Sequence, residues 1–504
     1  MPIFFRKNTQ CKGSSISKEE KSVVFRAATA SQETSIDEGI RLLSESSSPY
    51  AADALNLFYA NKYYEDDEKW CSYINSYLKK FNISPIKLRP GNENKIDRIY
   101  TDCPARIYEG PKVTVIMPAF NSEKTVEMAA RSILDQSWSN IELIIIDDAS
   151  SDNTYEIIKS IAATDNRVIA LRNCRNVGPY VSKNIALMLA SGEFITGHDA
   201  DDWAHPDRIY GQVAIMREKP DIQACAGYML KMYPDGRLSH FKKIGFYSLD
   251  GSASLAFISF MFRISSLKKY LGAWDSVRFG SDSELIERAM KIFGPNGFFV
   301  APLLTMFCLY LPTSLTSDPV TGINGGLSPA RAQYVASWKK FHSLIQENVP
   351  FRLCFPQKKQ VYDVHESARI DYEDVMEVLH GHGLSDRIDA NDTEDRSEFF
   401  SQENLEVRKK LGGGVTKICD LTGTRYVFGG LILYRKKIED DKTKVSILGL
   451  PVYSKKVTSF AITKRILFFK IKKDLRFEYI ICENKMLLQR IKILEESIEN
   501  LKQS

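Results

Sequence analysis

Four short apolar runs fix the middle of this chain: VTVIM (113–117), LIII (143–146), VIAL (168–171) and FIT (194–196). Between them lie stretches 125–134, 154–162 and 181–190, whose apolar residues recur at helical spacing. A short unbroken apolar run suits a strand covered on both faces. Strand and helix alternating at this spacing give an α/β fold with a mostly parallel sheet. On such sheets ligands bind in the crevice beyond the carboxyl ends of the strands. The residues that follow each run are therefore the ones to read for function.

Those residues are polar and acidic. The first run is followed by Pro118-Ala-Phe-Asn121, the second by Asp147-Asp148-Ala-Ser-Ser-Asp152, the third by Asn173 and Asn176-Val-Gly178. The fourth is followed by His198-Asp199-Ala-Asp201-Asp202-Trp203. Asp and Asn favour turns and helix N-caps, which would account for any one of these ends. It does not account for Asp199, Asp201 and Asp202 together. Three carboxylates in four residues repel one another unless a cation or strong donors compensate. A hard divalent ion with oxygen ligands, which also touches phosphates, is the natural partner.

The segments VTVIMPAFNSEKTVEMAARSILDQSW, IELIIIDDASSDNT and NVGPYVSKNIALMLASGEFITGHDADDW together resemble the family 2 glycosyltransferases of GT-A fold. The resemblance spans about residues 111–345 and favours the subset found in bacterial capsule, lipopolysaccharide and exopolysaccharide biosynthesis. It implies that Pro118 and Asp148 hold the nucleotide base and that Lys183 faces the nucleotide. It places Asp199 near the ribose, and Asp201, with Asp199, on a Mn²⁺ or Mg²⁺ ion that bridges the donor diphosphate. Asp202 is equally suited to N-cap the segment after Trp203. The implied base is Asp282, in RFGSDSELIER (278–288), with Glu284 as the alternative; both acids also suit the start of a helix. His198 either lines the donor pocket or packs against backbone.

The activity so implied is metal-dependent, inverting transfer of a sugar from a nucleotide-diphospho-sugar, expected to be a UDP-sugar. The acceptor is a hydroxyl of a surface polysaccharide or a lipid-linked glycan. A non-catalytic scaffold with a retained transferase fold is the alternative, against which the intact acids argue. A nucleotidyltransferase would need a glycine-rich loop after the first strand, where Pro118-Ala-Phe-Asn stands.

Around this core the chain divides into an N-terminal helical region and linker (1–110), the transferase domain (111–345), a C-terminal α/β extension (346–475) and a coiled-coil helix (476–504). Residues 1–35 are polar and expected to be poorly ordered, and 36–82 to form a helical hairpin. The apolar stretch 298–311, interrupted by Pro302, is expected to be a buried strand pair or core segment, being too short for a bilayer span of about 20 residues. Lys plus Arg exceed Asp plus Glu by 68 − 63 = 5, too balanced for a general nucleic-acid binder. Nine cysteines without a CxxC pattern suit reduced thiols, hence a cytoplasmic protein.

Residues 435–473 are an exception to the charge balance, with 12 basic and 3 acidic residues, 12 − 3 = +9, interleaved with apolar ones. The segment suits either an anionic membrane, at the inner face of the cell membrane, or a solvated basic strand pair. Ile480, Leu487, Leu494 and Leu501 recur every seven residues, with Asn484, Ile491 and Ile498 four after the first three. This pattern predicts a parallel homodimer through 476–504, or an amphipathic helix folded back on its own chain.

Overall fold

The computed structural model describes residues 17–102, 105–311, 314, 318, 321–322, 326–345 and 347–387, and the backbone of six strands between 407 and 454. The chain divides at residues 395 and 396 into two compact units.

The first unit opens with four helices, α1 (Val23–Glu33), α2 (Ile36–Ser44), α3 (Pro49–Lys62) and α4 (Asp67–Leu78). Ser35 and Asp66 cap α2 and α4 by accepting from the N–H groups of Glu38 and Lys69, and Pro49 opens α3. The span 36–82, expected to be a hairpin, thus holds the three helices α2 to α4, and 23–33, expected to be poorly ordered, forms a fourth. Val23, Val24 and Ala27 pack against Ile40, Leu43 and Phe58, a contact set hidden in a Ser- and Lys-rich stretch. A two-stranded ribbon follows, β1 (Ile86–Leu88) and β2 (Ile99–Thr101), with the single turn α5 (Lys95–Arg98) between. Trp70 Nε1 donates to the Gly236 carbonyl at 2.9 Å and fastens α4 to the central sheet's hairpin turn.

The central sheet contains β3 (Val113–Ala119), β4 (Ile141–Asp147), β5 (Val168–Arg172), β6 (Phe194–Gly197), β7 (Trp203–Ala204), β8 (Ala224–Met232), β9 (Leu238–Ser239), β10 (Ser254–Leu255), β11 (Met261–Arg263) and β12 (Phe298–Leu309). Its order is β5-β4-β3-β6-β11-β8-β12-β7, with β9 and β10 on β8. The four strands read from the apolar runs are parallel neighbours. β11 is antiparallel to both β6 and β8, and β8 runs parallel to β12. The stretch from Phe298 is one strand, not a pair. Of two register shifts, the one between Val300 and Leu304 spans Pro302, which has no N–H for the ladder, and the other follows between Leu304 and Met306.

Helices α6 (Val126–Leu134), α7 (Thr154–Thr164), α8 (Gly178–Leu189) and α9 (Arg208–Glu218) link the strands. The short α10 (Ile264–Ser266) precedes the long α11 (Ser281–Gly297), and α12 (Pro329–His342) and α13 (Tyr372–Gly381) complete the unit. Residues 347–387, assigned by sequence to the extension, are built into this unit. Ala273 N–H donates to the Leu353 carbonyl, and Arg278 N–H to that of Ala368, each at 2.9 Å.

The second unit contains six antiparallel strands in sequence order: β13 (Val407–Gly412), β14 (Val415–Asp420), β15 (Gly423–Phe428), β16 (Leu431–Glu439), β17 (Lys442–Ile447) and β18 (Leu450–Ser454). This part of the expected α/β extension is therefore an antiparallel meander. The first half of the basic segment 435–473 lies in β16 to β18. Its second half, and the heptads of 476–504, lie outside the described residues. Among the described residues no helix is long and apolar enough to cross a membrane.

Candidate active site

The loops after β3 and β4 are laced together by side chains the sequence placed at the strand ends. Asn121, at φ 48°, takes the left-handed conformation that Asn tolerates. Its N–H donates to Ser150 Oγ and its Oδ1 accepts from Ser151 N–H, both at 2.9 Å. Ser122 N–H donates to Thr154 Oγ1 at 2.7 Å, and Glu123 N–H to Asp152 Oδ2 at 3.1 Å. This lacing leaves Pro118 half-buried and Phe120 49% exposed at the carboxyl end of β3. Phe120 was missed in the sequence reading. Its signal there is an aromatic between Pro118 and Asn121, directly past a buried strand.

Asp148 is buried beneath the same edge. Its Oδ2 accepts from Gly178 N–H at 2.7 Å and its Oδ1 from Val177 N–H at 3.0 Å and Asn173 Nδ2 at 2.7 Å. The carboxylate therefore caps α8 from outside the helix. Burial pushes its pKa up, and these donors oppose the rise.

After β6, Asp199 and Asp201 are partly exposed and Asp202 is buried, with one carboxylate oxygen of each within 4.8 Å of the others. Burial, reinforced by the Asp199 charge, pushes Asp201 up to about 7. Burial raises Asp199 as well, and Lys183 opposes the rise. Asp202 caps no helix. Its Oδ1 accepts from Leu309 N–H at 3.0 Å, docking the acidic loop on β12.

A buried cation lies underneath this loop. Arg208 donates to the Gly197 carbonyl at 2.6 Å, Thr196 Oγ1 at 2.9 Å and His198 Nδ1 at 3.1 Å. Burial lowers its pKa to about 10. Arginine can only donate, so Nδ1 of His198 accepts, and Nε2–H donates to the Asp202 carbonyl at 3.0 Å. His198 is thus a packed, neutral histidine. The three crowded oxygen donors suit a hard divalent ion, whose charge would offset the burial and the mutual repulsion that raise their pKa values.

Asp282 stands in the first turn of α11. Lys183 Nζ, from α8, donates to both of its oxygens, at 2.8 and 3.0 Å, and Trp274 Nε1 donates to Oδ1 at 2.9 Å. Asn184 clamps Trp274 by its backbone, with Nδ2 donating to the carbonyl and Oδ1 accepting from the N–H, both at 2.9 Å. Lys183, expected at the nucleotide, is thus bonded to Asp282, and its charge also acts on Asp199. Trp274 gave no sequence signal of its own.

Glu284, two residues on, is sealed in the core. It accepts from Arg288 Nη2 and His342 Nε2 at 2.9 Å and from Tyr362 OH at 2.7 Å, with no exposed side-chain surface. Burial would raise its pKa; the Arg288 charge and these donors outweigh that and hold it below the usual value. No acceptor hydroxyl can reach it. Nearby, Asp275 accepts from Tyr334 OH and Gln360 Nε2 at 2.8 Å, and burial beside Glu284 pushes it up to about 7.

Residues 114–271 match the profile described as glycosyl transferase family 2. The putative glycosyltransferase EpsE of Bacillus subtilis is 40% identical over 122 residues, 24% of this chain and 44% of that protein. An Escherichia coli protein, UDP-Glc:alpha-D-GlcNAc-diphosphoundecaprenol beta-1,3-glucosyltransferase WfaP, is 33% identical over 119 residues, 24% of this chain and 47% of its own length. Among solved structures, Staphylococcus aureus TarS 1-349 in complex with UDP-GlcNAc overlaps 40% of this chain and 60% of its own, at 21% identity and a TM-score of 0.33. The chain spans about half the length of the curated relatives it matches. On the strand order, the acidic strand ends and the matched profile, the chain contains a glycosyl transferase family 2 domain.

Proposed function

We propose that the chain transfers a sugar from a nucleotide-diphospho-sugar, a UDP-sugar by preference, to a hydroxyl of a surface polysaccharide or lipid-linked glycan, with inversion at the transferred carbon. The observation that carries this reading is the pairing of an acidic loop with three crowded oxygen donors and a separate, oriented carboxylate whose charge acts on Asp199. Phe120 offers an exposed face on which a base can stack, and Pro118 and Asp148 border the same edge. Asp199 and Asp201 would hold the Mn²⁺ or Mg²⁺ ion, which supplies positive charge to the leaving diphosphate. Asp282 takes the proton of the acceptor hydroxyl. The acceptor oxygen then forms its bond to the sugar carbon while the carbon–oxygen bond to the diphosphate breaks, the electron pair leaving with the nucleoside diphosphate. Lys183 and Trp274 orient the Asp282 carboxylate and are positioning residues.

The preference for a lipid-linked acceptor follows the Escherichia coli relative, named as a glucosyltransferase acting on a diphosphoundecaprenol-linked sugar. The test is a panel of UDP- and GDP-sugars with Mn²⁺ and a lipid-linked acceptor, read by nucleotide release and by NMR of the product. Release that depends on Mn²⁺ and acceptor, with an inverted product, is the expected result. A folded chain that binds no nucleotide would instead be the non-catalytic scaffold.

A further inference from the structure

Seven large apolar side chains stand exposed among the described residues, and three of them belong to two segments that are in contact, α1 and the loop 240–248. Phe25 of α1 is 41% exposed, and Phe246 and Tyr247, in the loop 240–248, are 49% and 48% exposed. Backbone and side-chain contacts hold the two elements together. Ile244 N–H donates to the Lys21 carbonyl at 2.8 Å, and Lys243 Nζ lies 5.6 Å from the centre of the Phe25 ring. Phe246 and Tyr247 pack edge to face at 5.0 Å. The Lys243 ammonium therefore lies beside one of the aromatics, and Lys21, also exposed, is the residue on which the loop is anchored. The neighbouring acids have local partners: Glu19 pairs with Arg26 at 3.3 Å, and Glu20 accepts from Ser17 N–H at 2.8 Å.

The same loop touches the helix of the candidate base. Tyr247 OH donates to Glu287 Oε1 at 3.1 Å, and its ring lies 6.0 Å from Phe257. Phe257 and Asp282 line one narrow pocket. Glu287 is five residues past Asp282, about 7.5 Å along α11 at 1.5 Å per residue.

We propose that the two segments in contact present one face, which docks on an anionic bilayer surface and sets the Asp282 pocket beside it. Contiguous exposed apolar surface marks an interaction site. Aromatic rings with lysines on the same segments match the headgroup layer, which accepts amphipathic rings and attracts cations. A protein groove would supply no comparable reason for lysines near the rings. The inference deepens the transferase reading and rests on it for its purpose, which is delivery of a lipid-linked acceptor from the membrane side. It involves none of the basic residues of 435–473.

The experiment is flotation of the full-length chain with vesicles of phosphatidylcholine alone and of phosphatidylcholine with phosphatidylglycerol, at physiological salt, with UDP binding measured alongside. Wild type is expected to partition to the anionic vesicles at least about tenfold better. Phe25→Ser with Phe246→Ser, and separately Lys21→Glu with Lys243→Glu, should each lose about tenfold or more of that partition while keeping UDP binding and unfolding temperature. Wild type that ignores anionic vesicles, or variants that bind them as wild type does, would overturn the proposal; the second result would place the contact elsewhere, as on 435–473. A chain that binds vesicles through this face but no nucleotide would keep the docking surface and remove the transferase reading.

Discussion

On the loop after β6, three carboxylates crowd within 4.8 Å, and none is in contact with a cationic side chain among the described residues. At the start of α11, Asp282 is paired with Lys183 and Glu284 with Arg288 and His342. The two regions are acidic and close enough for Asp282 to act on Asp199, yet only in the second is each carboxylate paired directly with a cationic side chain. Crowded carboxylates without direct cationic partners repel one another and mark a candidate site for a ligand from outside the chain. The loop is therefore the seat proposed for the ion and the diphosphate. The α11 group divides in turn, because Asp282 retains 23% of its side-chain surface and Glu284 none.

Breaking the paired side gives the largest expected effect. Glu284→Gln leaves Arg288 buried without its carboxylate and should cost about 3–5 kcal/mol of stability. Urea unfolding reads it, and a change under about 1 kcal/mol would show that the Glu284 knot does not hold α11. Asp282→Asn keeps the fold and UDP binding but should lose transfer by about 10²-fold, since an amide cannot take the acceptor proton. Full activity in that variant would remove Asp282 as base.

Asp275 sharpens the comparison through pH. Its folded pKa, about 7, lies above the unfolded value of about 3.9, so the folded state holds the extra proton between them. Its contribution is fully present below about pH 4 and is lost as pH rises through 7, at up to about 1.4 kcal/mol per pH unit. Asp275→Asn should remove that slope, as read by urea unfolding at pH 5, 6 and 7.5; an unchanged slope assigns it to other groups. Trp274→Phe, the smallest change, removes one donor to Asp282. It should lower the transfer rate about tenfold with the donor KM unchanged. A raised donor KM instead would mean that Trp274 touches the donor.

The sequence carried the unpaired half of the site and little of the paired half. β3 to β6 and the acids behind them were legible because each acid follows directly on a strand whose apolar run marks where it ends. Lys183 and Asp282 are 99 residues apart, and Tyr362 reaches Glu284 from 78 residues away. No local period encodes such pairs. Asp282 against Glu284 could not be decided from sequence, since both suit a helix start and only packing seals one of them. Helix α1 was hidden by polar composition, its three inward residues finding their partners on α2 and α3. The single strand at Phe298 was obscured by Pro302, which the ladder tolerates through its register shifts.

Asp199 and Asp201 are proposed to form a cation site completed by the donor. Manganese binding followed by electron paramagnetic resonance, with and without UDP, tests it on the full-length chain. One bound ion per chain is expected, tightened by UDP and lost in a folded Asp201→Ala variant. Equal Mn²⁺ and UDP affinity in wild type and that variant would contradict it.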